Sequence, residues 1–283
     1  MLVFVVHHIC GDGFSMAPLT RDVMIAYAER SRGGAVGWAP LPVQYADYTL
    51  WQRAQFGDLD DPGSPIAAQL RYWQGALAGM PERLELPTDR PYPLVADHRG
   101  ARIDVEWPAE LQHQVAQVAR AHNATTFMVV QAALAVLLAK LSASSDVAVG
   151  FPIAGRGDPA LDDLVGFFVD TQVLRTDVGG HPRFDELIDR VRAVDLAAFD
   201  NQDIPFQQIV EHCAPPRVPG RNPLFQVSVG YLPLGAVPDR FLGIPATFEH
   251  LTSASAKFAG STDTPYRPRS SETIRVSPGK LRS

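Results

Sequence analysis

The stretch Leu2-Val3-Phe4-Val5-Val6-His7-His8-Ile9-Cys10-Gly11-Asp12-Gly13-Phe14-Ser15 decides how the rest of the chain is read. Its first five residues are a continuous β-branched and aromatic run, the pattern of a strand buried on both faces. The run ends in paired imidazoles, passes an Asp-Gly turn and reaches Ser15, which can cap a helix with Leu19, Val23 and Tyr27 at helical spacing. Histidine is the side chain whose unperturbed titration lies near neutrality, which suits a general base. Asp12 can orient an imidazole or hold an arginine that braces the loop. Gly13 lets the backbone come close to a substrate, and its N–H near a helix start can steady developing negative charge. Adjacent histidines on an extended strand point to opposite faces, and no HExxH or CxxC element accompanies them, so no metal site is expected.

Outward from this stretch, strands and helices alternate. Helices are expected over 45–57, 65–77, 109–122, 126–141 and 184–199, and strands over 101–107, 147–151, 172–175 and 225–230, the pattern of an α/β layered fold. The loop Asp58 to Pro65 divides residues 1–57 from 58–258. Residues 259–283 carry five basic residues, five serines and few large apolar ones, a composition that predicts a disordered tail.

Composition sets the outer bounds. The 283 residues are 46% hydrophobic and 20% charged, enough for a sizeable core and far from a small disulfide scaffold. With 31 acidic against 25 basic residues the chain lacks the cationic field of a nucleic-acid binder. No apolar run reaches the ~20 residues needed to cross a bilayer. Cys10 and Cys213 lie far apart with no second thiol near either, so a reducing, cytoplasmic compartment is expected.

The residues His7 to Ser15 resemble the HHxxxDG signature of condensation domains from nonribosomal peptide synthetases. Further segments match in the family's order: Tyr72-Trp73 followed by Leu86 to Pro91, Val149 to Arg156, Gly166 to Thr171, Gln202 to Phe206, and Pro223 to Val227. The resemblance implies two chloramphenicol acetyltransferase-like subdomains with the active site in a tunnel between them. It implies amide formation between a donor acyl thioester and an acceptor aminoacyl thioester, each delivered on the phosphopantetheine arm of a carrier protein within a synthetase that also has adenylation domains. No cofactor is expected on the chain itself, and neither nucleic acid nor a membrane is an expected partner.

Carried over residue by residue, the resemblance makes His8 the residue that accepts or positions the amine proton, with Gly13 beside the developing oxyanion. His7, Asp12 and Arg156 become structural, the last two paired at the subdomain junction. Ser15, Gly166, Asp170 and Gln202 become candidates to line the tunnel. Asn201 stands where the family commonly has His, and Asp170 where it commonly has Asn. Only six residues precede His7, where the family has most of its first subdomain, and the last strands of the second are expected to be missing. The fold expected is therefore incomplete: 1–57 the remainder of an N-terminal subdomain, 58–258 a C-terminal one, and 259–283 the tail. An inactive remnant, or a module that binds carrier proteins, is the alternative to an enzyme. An acyltransferase using a small soluble thioester shares the histidine logic but not the later motifs.

Overall fold

The structure is a computed structural model and describes residues 5–88, 100, 103–216, 222–233, 240–241, 244–245, 260–266 and 272–278. Seven helices are seen among them: α1 (Met16–Ser31), α2 (Tyr45–Phe56), α3 (Pro65–Leu77), α4 (Ala109–Ala121), α5 (Thr126–Ser142), α6 (Phe184–Asp200) and α7 (Phe206–Cys213). The strands are β1 (Ile103–Trp107), β2 (Asp146–Ile153), β3 (Asp170–Asp177), β4 (Val227–Pro233), β5 (Arg240–Phe241), β6 (Ile244–Pro245), β7 (Gly260–Tyr266) and β8 (Glu272–Pro278). Six of them form one mixed sheet in the order β1-β8-β7-β4-β2-β3, and β5 pairs with β6 separately. The α/β fold class read from the sequence is the one observed.

The chain divides into two compact units that interleave in sequence. The first comprises 1–68, 153–170 and 238–248; the second comprises 69–152, 171–237 and 249–283. This grouping differs from the expected contiguous division at 57/58. The physical reason is that residues 153–170 leave β2 and spend their polar groups on the 5–68 region, a return that no composition shift announces.

The second unit has its core where helices meet. Thr125 caps α5 by accepting the Met128 amide at 3.2 Å. Met128, Val129 and Ala132 of α5 then pack against Leu187, Ile188 and Val191 of α6, with Ala119 of α4 closing the cluster. Two acids, Asp185 and Glu186, stand in the first turn of α6, where the helix dipole favours them. On the sheet, Val147 to Val149 are buried, as befits a strand covered on both faces, and Gly150 pairs in parallel with Ser228 of β4. A Cβ at Gly150 would lie 2.2 Å from the Phe225 ring, so only glycine fits this strand position. Arg175 of β3 holds Asp146 through three hydrogen bonds of 2.7, 2.9 and 3.2 Å and donates to the carbonyls of Ala76 and Ala78 at 2.8 Å, ending α3 with a cation. The Trp73 indole N–H donates to the Asn201 carbonyl at 2.8 Å, which lets that large ring be buried with its polar atom satisfied.

Two expectations fail on the described residues. Leu2 to Phe4 lie outside them, but Val5 and Val6, the end of the expected buried strand, are exposed and in no strand. A run of this kind needs partner strands on both sides, and among the described residues it has none. The segment 259–283 was expected to be disordered and the last strands absent. Residues 260–266 and 272–278 instead form β7, parallel to β4, and β8, antiparallel to both β7 and β1. Ladder hydrogen bonds are made by the backbone, so an open strand edge can recruit a polar segment that has little to bury.

Candidate active site

The motif folds into a turn rather than a strand end. His7 caps a short 3₁₀ turn, His8–Cys10, its Nδ1 accepting the Ile9 amide at 3.2 Å. That bond places the proton of the neutral His7 ring on Nε2. The two histidines therefore differ: His7 is used by the backbone, while His8 is exposed with its imidazole edge-on to the Phe167 ring, centroids 5.3 Å apart at 88°.

Four residues on, the chain turns inward. Asp12 is 3% exposed, and its carboxylate is saturated with donors. Oδ1 accepts from the Ser15 amide at 2.9 Å, the Ser15 hydroxyl at 2.8 Å and an Arg156 Nη at 3.3 Å. Oδ2 accepts from the amides of Phe168 and Val169 at 3.0 and 3.2 Å. Burial by itself would raise this carboxyl. The Phe168 amide, the Ser15 hydroxyl and amide, and the Arg156 charge outweigh it, so the pKa lies below the ordinary aspartate value. Of the two roles open to Asp12 in the sequence, the geometry shows the arginine brace.

Arg156 is held as firmly. Its side chain is 4% exposed; one Nη donates to the Leu161 carbonyl and, at 3.0 Å, to that of Leu164, and the guanidinium lies 4.1 Å over the Phe168 ring. Both residues of the ion pair belong to the first unit.

Ser15 and Gly166, expected to line a tunnel, are buried and bond each other. The Ser15 oxygen accepts the Gly166 and Asp12 amides at 3.1 and 3.2 Å and an Arg156 Nη at 3.1 Å, and its proton is offered to Asp12 or to the Gly166 carbonyl, at 2.8 and 2.9 Å. With its hydroxyl spent this way, Ser15 precedes α1 without a side-chain cap of its own. Asp170 is half-buried at the start of β3, and Gln202, in the second unit, is exposed. Gly13 is exposed, with nothing within 4 Å of where a Cβ would stand, so packing leaves that turn position open.

Tyr45 is the residue the sequence reading passed over. Its hydroxyl donates to the Phe167 carbonyl at 2.7 Å, and its ring occupies the space a Gly166 side chain would need, with a Cβ there only 2.4 Å away. Phe168, Tyr48, Leu161, Leu164 and Val43 complete an apolar layer beneath. The available signal was the box at the start of α2, where the Gln44 amide donates to Asp47 at 2.9 Å and so fixes where Tyr45 begins the helix. The net arrangement is an exposed imidazole on a short 3₁₀ turn beside an exposed phenyl ring whose flanking backbone is held by buried polar bonds.

Comparison with known proteins identifies the family. The Condensation domain family matches residues 1–238. The isonitrile lipopeptide synthase of Mycobacterium tuberculosis is 64% identical over 231 residues, 82% of this chain and 9% of that protein. The dimodular nonribosomal peptide synthase of Bacillus subtilis is 48% identical over 261 residues, 91% of this chain and 11% of that protein. Among solved structures, the X-domain from teicoplanin biosynthesis superposes with a TM-score of 0.88 at 27% identity, over 96% of this chain and 62% of its own. The first condensation domain of the CDA synthetase shares the fold, with a TM-score of 0.73 at 20% identity over 97% and 58%. The chain thus spans a small part of these synthetases and about three-fifths of the solved domains, and it belongs to the condensation domain family of the nonribosomal peptide synthetases.

Proposed function

We propose that this chain supplies the HHxxxDG-bearing part of a domain that forms an amide between two carrier-bound substrates. The carrying observation is that His8 is exposed four residues before Asp12, whose buried carboxylate ties the motif to Ser15, Arg156 and the 166–169 backbone. The acceptor amine nitrogen attacks the donor thioester carbonyl, the C–N bond forms, the C–S bond breaks, and the amine proton leaves by way of His8 to the departing thiolate. An α-amine with a pKa of ~8 is already about one-tenth free at pH 7, so His8 serves position as much as deprotonation. The Gly13 amide is the candidate donor to the tetrahedral oxyanion. Both thioesters arrive on phosphopantetheine arms of carrier proteins loaded by adenylation domains, and the chain itself holds no cofactor. The compartment is the cytoplasm. Residues 1–57 correspond, in this reading, to the remainder of the N-terminal subdomain.

The test is amide formation between two loaded carrier proteins by a synthetase containing this chain. His8→Ala should lower kcat by ~10² to 10⁴-fold, the usual weight of a positioned base. An unchanged rate removes the role. A second reading, a docking module without chemistry, is favoured by the X-domain of teicoplanin biosynthesis, solved in complex with OxyB with a TM-score of 0.87 to this chain. Carrier binding that survives in a chain unable to form amide under any loading would favour it.

A further inference from the structure

Phe167 and Phe168 are adjacent in sequence but differ sharply in exposure. Phe168 is 5% exposed and belongs to the apolar layer under Arg156, whereas Phe167 is 42% exposed. An exposed phenyl ring ordinarily sits on loosely held backbone, and this one does not. On its N-terminal side, Gly166 bonds Asp12 and Ser15 through both its N–H and its carbonyl and has no room for a side chain against Tyr45. The Phe167 carbonyl takes the Tyr45 hydroxyl at 2.7 Å, and on the C-terminal side the next two amides are both committed to Asp12. Every polar restraint in the segment thus fixes the point from which the Phe167 ring projects, and that ring meets His8 edge-on at 5.3 Å.

We infer that Phe167 is a positioning residue for His8: its ring, anchored by Tyr45 and Asp12 through the backbone, sets the orientation of the imidazole. The inference rests on His8 being the residue that handles the amine. A ring held this way limits the histidine's rotamers without offering a polar atom that would compete for its nitrogens. That is what a group needs when its task is to place a reacting amine, because misplacement by about 1 Å can cost 10²-fold. It also gives the buried Asp12–Arg156 brace a route to the exposed imidazole that requires no contact between carboxylate and histidine. Tyr45 acts one step further back, on the carbonyl of Phe167.

The experiment is carbon-edited NMR of the histidine rings in the full chain, with the His8 signals assigned by their disappearance in His8→Gln. In the unaltered chain the His8 ring protons should be displaced from free-histidine values by the Phe167 ring current. Phe167→Leu should abolish that displacement, Phe167→Tyr should retain it, and Tyr45→Phe should reduce it while preserving the packing of its ring. His8 signals that are unchanged in Phe167→Leu overturn the inference, as does a Phe167→Tyr chain that behaves like Phe167→Leu. The reading makes no use of amide formation, so a failure of the proposed chemistry at His8 registers separately. Tyr45→Phe keeps the test decisive should Phe167→Leu fold poorly.

Discussion

Two carboxylates, Asp12 in the first unit and Asp195 in the second, are buried almost completely, at 3% and 0% exposure. Asp12 receives amide, hydroxyl and guanidinium donors on both oxygens, and its pKa is lowered despite burial. Asp195, on α6, receives one bond, from the Gln131 amide of α5 at 2.9 Å; its Oδ2 and the Gln131 Oε1 have no hydrogen-bond partner among the described residues. Burial pushes its carboxyl up to about 7, with the Gln131 bond pulling weakly the other way. The difference teaches that burial does not decide the charge of an acid; the number of donors aimed at it does. Where the loop of the motif converges on Asp12, the charge is kept and used as a brace. Where two helices merely pack, the proton is kept instead.

Removing the brace should have the largest effect. Asp12→Ala strands the Arg156 charge in a site where its side chain is 4% exposed. Breaking a buried pair from one side costs roughly 3 to 5 kcal/mol. In urea unfolding, Asp12→Ala and Arg156→Ala should each show a loss of that size, and the double variant much less than their sum. Additive losses, or single losses under about 1 kcal/mol, would show that the pair is not what holds the loop.

The pH dependence sharpens the contrast, because the two acids act in opposite directions. The Asp12 contribution is present above the ordinary aspartate value of 3.8 and is lost as pH falls through its depressed pKa. The Asp195 contribution has the reverse sign: full below 3.8, it declines as pH rises and is gone above about 7, a range worth up to about 4 kcal/mol. Tyr72 of α3 has its own pKa raised by burial and by Asp195 and Asp200, so it stays neutral through this window. Asp195→Asn should remove the decline between pH 4 and 7 and leave the chain more stable than the parent at pH 8. A parent whose melting temperature is flat across that window would contradict the protonated state of Asp195.

Much of this was legible in the residues, and the failures have physical causes. Helices with strong period and caps were placed within a residue or two: α3 was expected and observed over Pro65–Leu77, and α5 was expected over 126–141 and observed over Thr126–Ser142. The ion pair Asp12–Arg156 followed from the family resemblance, since a separation of 144 residues leaves no local trace. The hub role of Ser15 was hidden because a serine before a helix signals a cap, and only the folded return of Gly166 shows where its hydroxyl goes. Strands β7 and β8 were missed because composition reports burial and not the backbone pairing available at a strand edge. Helix α7, short at eight residues, was missed because it spans little more than two turns.

The loop that carries Asp12's donors should tolerate little. Gly155 has φ of +65°, and a Cβ there would stand 1.9 Å from the Phe168 carbonyl oxygen. Gly166→Ala meets the Tyr45 ring instead, a side chain that can shift. Overpacking of this kind costs typically about 1 to 3 kcal/mol. Gly155→Ala should fall at or above the top of that range and Gly166→Ala within it, both read from denaturant midpoints. The reverse order would mean that the loop backbone yields more easily than the Tyr45 ring, against the picture of a segment fixed by Asp12.

The smallest expected effect is a control on the first. Arg21 of α1 pairs with Asp163 and with Asp22, again an arginine on aspartates within the first unit, but its side chain is 45% exposed and that of Asp163 is 60% exposed. Hydrogen bonds to the two acids raise the Arg21 pKa, chiefly the one to Asp163. Water competes for such a pair, salt screens it, and its geometry confines two long side chains, so exposed pairs contribute about 0 to 1 kcal/mol. Arg21→Ala should therefore shift the urea midpoint by under about 0.5 kcal/mol equivalent in 0.15 M salt, and by less again in 1 M salt. Arg156→Ala, whose partner is shielded from solvent, should keep its full cost in both. If the two variants proved equally salt-sensitive, the Asp12 site would be accessible to water and ions, and the distinction between a carboxylate held by converging donors and one paired at the surface would fail.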